Sequence, residues 1–188
     1  MTVIKTDNDN LSKKLAIRLF AIEKLGKSET EPIRVLDCFA GDGLLWHYLK
    51  KESKRCIEPV GIDTLPKRGS LYLGDNRRCL HKLPIDDYDL IDLDAYGVPY
   101  DQMKILAKRN YQGIVVGTFI QSVYGGLPYD MLEDIGYSRR MVRKITKLFF
   151  SKGWDKWATF LVTLGYENVF VFHCNNKHYF CCLPRKTS

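Results

Sequence analysis

The chain has 188 residues, 45% hydrophobic and 27% charged, the balance of an ordinary globular protein and not of a disordered or fibrous one. No stretch approaches the roughly 18 apolar residues of a membrane-spanning helix, and the opening residues MTVIKTDNDNLSKK lack the apolar core of a secretory signal. A cytoplasmic protein with no membrane partner is therefore expected. Lys and Arg number 29 against 22 Asp and Glu, and this net charge of +7 favours polyanionic partners through phosphate neutralisation.

Leu11 to Leu25 reads as a helix, with Leu11, Leu15, Ile17, Leu19, Phe20, Ile22 and Leu25 apolar and Lys13, Lys14, Arg18 and Lys24 facing water. Asn10 can cap its start and Gly26 can end it. After the polar linker Lys27 to Pro32 the pattern alternates. Strands are expected at Ile33–Cys38, Cys56–Asp63, Leu71–Leu73, Asp89–Leu93 and Gly113–Phe119. Helices are expected between them at Gly43–Lys51, Asn76–Lys82 and Asp101–Arg109. Strands separated by helices imply βαβ units and a mainly parallel sheet covered on both faces. Gln121 to Gly136 reads as a long loop rich in Gly, Tyr and Pro. Ser138–Phe150 and Lys156–Leu164 read as helices. Glu167–His173 and Lys177–Leu183 form an expected hairpin, with Asn175-Asn176 suited to a type I′ turn. A single domain is expected, residues 1–32 being an N-terminal helix and linker and 33–188 the core.

The sharpest local signal is Arg34-Val-Leu-Asp-Cys-Phe-Ala-Gly-Asp-Gly43. A hydrophobic strand delivers Asp37 at its carboxyl end, and the chain must then turn sharply into a helix. Gly41 and Gly43 allow that turn and let the backbone approach a ligand beyond the strand ends. A dinucleotide fingerprint would place a third glycine where this chain has Trp46, which argues against a bound pyrophosphate and against NAD. Val60-Gly-Ile-Asp63 puts a second carboxylate at a strand end, where it can accept from two ribose hydroxyls. Leu73-Gly-Asp75-Asn76 offers a third, able to accept from an adenine amino group or to cap the following helix.

These segments resemble motifs I, II and III of the class I S-adenosylmethionine-dependent methyltransferases. The resemblance implies a doubly wound, mostly parallel, seven-stranded α/β sheet of Rossmann-like type with an antiparallel C-terminal hairpin. It implies S-adenosylmethionine as cofactor, held by Asp37, Phe39, Gly41 and Gly43 around the methionine part, Asp63 at the ribose, Asp75 and Asn76 at the adenine, and Asp92 nearby.

The fourth strand ends Asp89-Leu-Ile-Asp92-Leu-Asp94-Ala-Tyr96-Gly-Val-Pro99. A carboxylate that accepts from an exocyclic amine favours a pyramidal, more nucleophilic nitrogen, and an aromatic can stack on an extruded base. IDLDAYGVP is similar to the DxDPYG-type motif of tRNA guanine dimethyltransferases. By that similarity Asp94 is the acceptor carboxylate and Tyr96 the stacking aromatic, with Ala95 standing where that family has proline. The same acids also read as helix caps, with Tyr96 in the core.

Arg139, Arg140, Arg143, Lys144 and Lys147 fall on one side of a helix, with Met141, Val142, Ile145, Leu148 and Phe149 on the other. With Tyr124 in the preceding loop they are the candidate substrate-binding residues. The six cysteines show no CxxC pair. His173, Cys174, His178, Cys181 and Cys182 crowd the final hairpin without a recurrent zinc spacing, and no metal is expected. The expected activity is methyl transfer to an exocyclic base amine of a nucleic acid, RNA (tRNA) before DNA, by a monomer, a homodimer or a complex with a partner protein. A protein or small-molecule methyltransferase and a non-catalytic interaction module of the same fold are the alternatives.

Overall fold

The computed structural model describes residues 10–121 and 126–184; Tyr124 lies outside them. Helix α1 (Leu11–Lys24) opens the described chain, and Gly26 follows it with φ +66°, a conformation that glycine adopts without a Cβ penalty. Strands β1 (Ile33–Asp37), β2 (Ile57–Asp63), β3 (Tyr72–Leu73), β4 (Leu90–Leu93) and β5 (Ile114–Ile120) run parallel to one another. Strands β6 (Tyr166–Cys174) and β7 (Lys177–Pro184) make an antiparallel hairpin, and β7 inserts antiparallel beside β5. The sheet order is β3-β2-β1-β4-β5-β7-β6, the mostly parallel seven-stranded sheet that the alternation implied.

Parallel strands are buried on both faces and are therefore apolar almost throughout. All residues of β4 are buried, as are those of β5 except Ile120. One face carries α1 and α2 (Leu44–Ser53), whose Ile17, Ala21, Ile22, Trp46 and Leu49 pack on Ile33, Val35, Ile57, Val116 and Cys181. The other face carries α3 (Asn76–Lys82), α4 (Tyr100–Lys108), α5 (Tyr129–Asp134), α6 (Arg139–Lys144) and α8 (Gly153–Thr163). There Leu80, Met103, Leu106, Met131, Val142, Trp157 and Phe160 cover Leu36, Ile62, Ile91, Val115 and Cys182. Each such side chain contributes about 1.5–3 kcal/mol on leaving water. Strand alternation sends Cys181 and Cys182 into opposite cores.

Three expectations about the elements need correction, and a fourth concerns Arg18. The long loop contains helix α5, which begins after Pro128 and buries Met131 and Leu132. The helix expected over Ser138–Phe150 is broken at Ile145 (φ −137°, ψ 60°) into α6 and α7 (Thr146–Phe150). The break lets Phe149 meet Tyr137 and Phe150 meet Tyr129, and it leaves Met141, Ile145 and Leu148 exposed where a continuous apolar stripe would have buried them. In the hairpin turn only Asn175 takes positive φ (+52°), so the turn is not type I′, which needs it at both central residues.

Arg18, expected in water, is fully buried. It lies in the stripe Leu11, Leu15, Arg18, Ile22, Leu25, which faces the sheet. Its Nε and Nη2 each donate at 2.7 Å to the two oxygens of Asp92, and Trp46 Nε1 donates to Asp92 Oδ2 at 3.1 Å. Two charges without solvent hold only as a pair, since removing either strands the other. Arg18→Met is expected to destabilise the protein by about 3–5 kcal/mol in urea denaturation, and adding Asp92→Leu should restore most of that loss. A loss below about 1 kcal/mol for the single variant, the range of an exposed pair, would show that the pair does not hold α1 to the sheet.

Candidate active site

The site lies beyond the carboxyl ends of β1, β4 and β5, at the reversal of strand order between β1 and β4 where ligands of open α/β sheets bind. A crevice of about 310 Å³ opens there. Phe39, Gly41, Gly43, Asp94, Tyr96, Thr118, Asp37, Lys14 and Tyr179 are among the residues that line it.

The glycine turn is built as its sequence demands. Gly41 (φ +50°) and Gly43 (φ +71°) both take left-handed backbone, which costs other residues energy. They serve different ends. A Cβ on Gly41 would meet nothing within 4 Å, so this backbone is open to a ligand. A Cβ on Gly43 would stand 3.1 Å from Gly69 Cα, so its bareness admits the loop after β2. Asp63 holds the turn from the neighbouring strand, accepting from Gly41 N–H (Oδ2, 3.0 Å) and Leu65 N–H (Oδ1, 3.0 Å).

Asp37 is buried and accepts the Phe39 N–H at 3.1 Å. Burial, and then the nearby Asp92 charge, push its carboxyl well above the ordinary carboxylate range, against the Phe39 bond and Arg18. A cation arriving in the crevice would relieve it.

Asp94 is set the other way. Burial raises its pKa, but Arg18, Lys14 and Thr118 outweigh burial and hold the carboxyl below the ordinary range. Lys14 Nζ donates to Oδ2 at 2.8 Å, Thr118 Oγ1 donates to Oδ1 at 2.5 Å, and Arg18 Nη2 stands 3.8 Å away. Tyr96, 86% exposed, stands on the rim. Gly97 (φ +140°) makes the bend behind it, and the Gly97 carbonyl accepts Ile120 N–H at 2.8 Å, pinning this loop to β5.

The remaining sequence candidates divide. Asp92, sealed under Arg18 and Trp46, does not line the crevice, and neither do Asp63, Asp75 and Asn76; Asp92 anchors α1. Asp75 caps α3 through Arg77 and Arg78 N–H, and its side-chain bond to Arg77 lowers it to about 2 despite some desolvation. Asn76 donates to the Cys38 carbonyl at 3.0 Å and accepts from Gln102 at 2.9 Å. Arg139 is spent on Asp130 and Glu133. Arg140, Arg143, Lys144 and Lys147 are exposed and make no ion pair among the described residues. Sequence reading missed Lys14, Arg18, Thr118 and Tyr179 as parts of the site. A charged residue inside an apolar stripe was the available sign for Arg18; Thr118 and Tyr179 carry no comparable mark.

No protein-family profile matches the sequence. No curated protein matches it either. Solved structures match over nearly the whole chain. The phosphoethanolamine N-methyltransferase 2 of Haemonchus contortus, solved with S-adenosyl-L-methionine, superposes with a TM-score of 0.54 at 13% identity, over 93% of this chain and 53% of its own. The plantazolicin methyltransferase BpumL, solved with SAH, gives 0.53 at 13% identity, over 95% and 87%. The CurJ carbon methyltransferase gives 0.51 at 13% identity, over 93% and 54%, so the chain spans about half the length of that protein and of the Haemonchus one. The fold is that of the class I methyltransferases.

The two aspartates supply a pH test. With its pKa raised in the folded protein above the ordinary 3.8, Asp37 binds protons more tightly there than in the unfolded chain. Its contribution to stability is therefore lost as pH rises from that value through the raised one. Melting temperature followed from pH 4 to 8 should show Asp37→Asn gaining on the wild type as pH rises. Parallel curves for the two proteins would remove Asp37 as a strained acid.

Proposed function

We propose that the protein transfers a methyl group from S-adenosylmethionine to an amine nitrogen, with a base of RNA as the favoured acceptor. The observation that carries the reading is that one crevice is lined by the open Gly41 backbone and the strained Asp37 together with Asp94 and Tyr96. The cofactor, when bound, supplies an electrophilic methyl group on a positively charged sulfur. The residues fit such a ligand. Gly41 leaves room for close approach, and Asp37 is a buried carboxylate short of a positive partner. Asp63 would face the ribose, its oxygens keeping lone pairs beyond those given to Gly41 and Leu65, and Asp75 and Asn76 would border the adenine.

Asp94 acts by accepting the amine N–H alongside Lys14 and Thr118. Held ionised, it is a weak base but a fixed negative charge where positive charge develops on nitrogen. Tyr96, bare on the rim, offers a stacking face to a flipped base. Support for RNA comes from the net charge of +7 and from Arg140, Arg143, Lys144 and Lys147, which make no ion pair among the described residues. The end of α7 is tied to the crevice, Gln121 Nε2 donating to the Phe150 carbonyl at 2.5 Å beside Ile120. A second reading, a peptide or small amine in the same crevice, is favoured by the fold neighbours, whose names give phosphoethanolamine and plantazolicin as substrates.

Transfer of labelled methyl to tRNA, ribosomal RNA, duplex DNA, a protein extract and small amines tests both readings. We expect label in RNA, with substrate binding that weakens steeply between 50 and 200 mM salt. Asp94→Asn should lower kcat on the order of 10²–10³-fold, the cost of losing one preorganised electrostatic group, while cofactor affinity is retained. Label in small amines or peptide alone selects the second reading. Failure of the wild type to bind S-adenosylmethionine overturns both.

A further inference from the structure

Each parallel connection of the sheet but one carries a helix: α2 between β1 and β2, α3 between β3 and β4, α4 between β4 and β5. The connection from β2 to β3 is residues 64–71 and holds none. Parallel crossovers ordinarily span a dozen residues or more, because the helix in them covers the sheet face. Here the connection covers that face only in part on the side of α2. Alternation puts Ile57, Pro59 and Gly61 of β2 on this side; Ile57 is buried in the core with α2 and Gly61 lies under the Gly69 backbone, while Pro59 is half-buried and the register places Leu73 beside Asp63. Leu73 is 63% exposed, and Leu65 and Leu71 of the connection are 59% and 71% exposed.

A second cavity of about 370 Å³ is lined by Pro59, Gly61, Trp46, His47, Lys50 and Arg68, and it shares Asp37, Ala40, Asp42, Gly43 and Leu44 with the crevice. Lys50 and Arg68 make no ion pair among the described residues, and Asp42 is the one exposed acid on the rim. We infer that the uncovered part of this face, around Pro59, Leu71 and Leu73, is a docking site for an acidic amphipathic helix of another protein, which takes the place of the missing crossover helix. Leucines on the helix would cover Leu71, Leu73 and Pro59, while its acids would meet Lys50 and Arg68. A second copy of this chain fits less well, since docking face to face sets like cations against one another. The inference does not depend on the methyltransferase reading.

The test uses a labelled synthetic helical peptide with leucine on one face and glutamate on the other, titrated into the full chain by fluorescence anisotropy. A peptide with lysine for glutamate is the control. Leu71→Gln/Leu73→Gln and Lys50→Glu/Arg68→Glu alter exposed side chains, so unchanged circular dichroism and melting are expected for both. The acidic peptide should bind the wild type and weaken at least about tenfold on each double variant, about 1.4 kcal/mol or more. The lysine peptide should bind the charge-reversed variant in its place. Absence of binding to the wild type, or binding indifferent to both variants, overturns the inference. So does a dimer in sedimentation velocity that Leu71→Gln/Leu73→Gln dissolves, which would assign the face to a second copy.

Discussion

The buried pair of Arg18 and Asp92 organises the molecule around it. Asp92 sits at the centre of the sheet, in β4, between β1 and β5. A carboxylate there is tolerated only because α1 brings a guanidinium to both its oxygens and α2 brings an indole N–H. Two helices are thereby fixed to one strand by one acid. The same arginine reaches toward Asp94 two residues on, and Lys14, one turn earlier in α1, completes that contact. The helix that fastens the fold thus also sets the charge of Asp94 in the crevice.

This arrangement gives neighbouring acids unlike properties. Asp37 and Asp94 lie on adjacent strands and line one crevice, yet one is pushed up by burial beside Asp92 while the other is held down by two cations. The crevice therefore has a side that calls for a positive ligand and a side that already carries a settled negative charge. Such a pair can meet two positive charges of different kinds, a resident one on the first side and a developing one on the second. The glycine turn, the Asp63 clasp and the Gly97 bend are geometric supports for that polarity.

Much of this was legible in the sequence because alternation of apolar runs with helical periods is a strong signal for a parallel sheet. The strand ends at Asp37, Asp63 and Asp94 followed from the same pattern, as did the turn at Gly41. What escaped reading depended on packing between distant segments. Arg18 looked solvated because arginine usually is, although Leu11, Leu15, Ile22 and Leu25 around it marked the buried stripe. Asp92 resembled a ligand-facing acid and serves as an anchor, a distinction set by a residue 74 positions away. The unbroken helical period across Ser138–Phe150 gave no warning of the turn at Ile145, which Tyr129, Tyr137 and the two phenylalanines impose from outside. Helix α5 was hidden because its six residues follow a Gly- and Pro-rich stretch that reads as loop.

The reach of α1 has a consequence for how the chain is made. Its partners are β4, through Asp92, and the β5–β7 half of the sheet, where Tyr179 and Cys181 share its core. On the ribosome this helix therefore emerges shortly before β1 but well before Asp92, the partner of its arginine. An arginine without its carboxylate favours water, so full packing of the segment waits for Asp92 and for the antiparallel hairpin, synthesised later, that closes the cover over it. Vectorial synthesis thus leaves the earliest described helix among the latest elements to be fully packed.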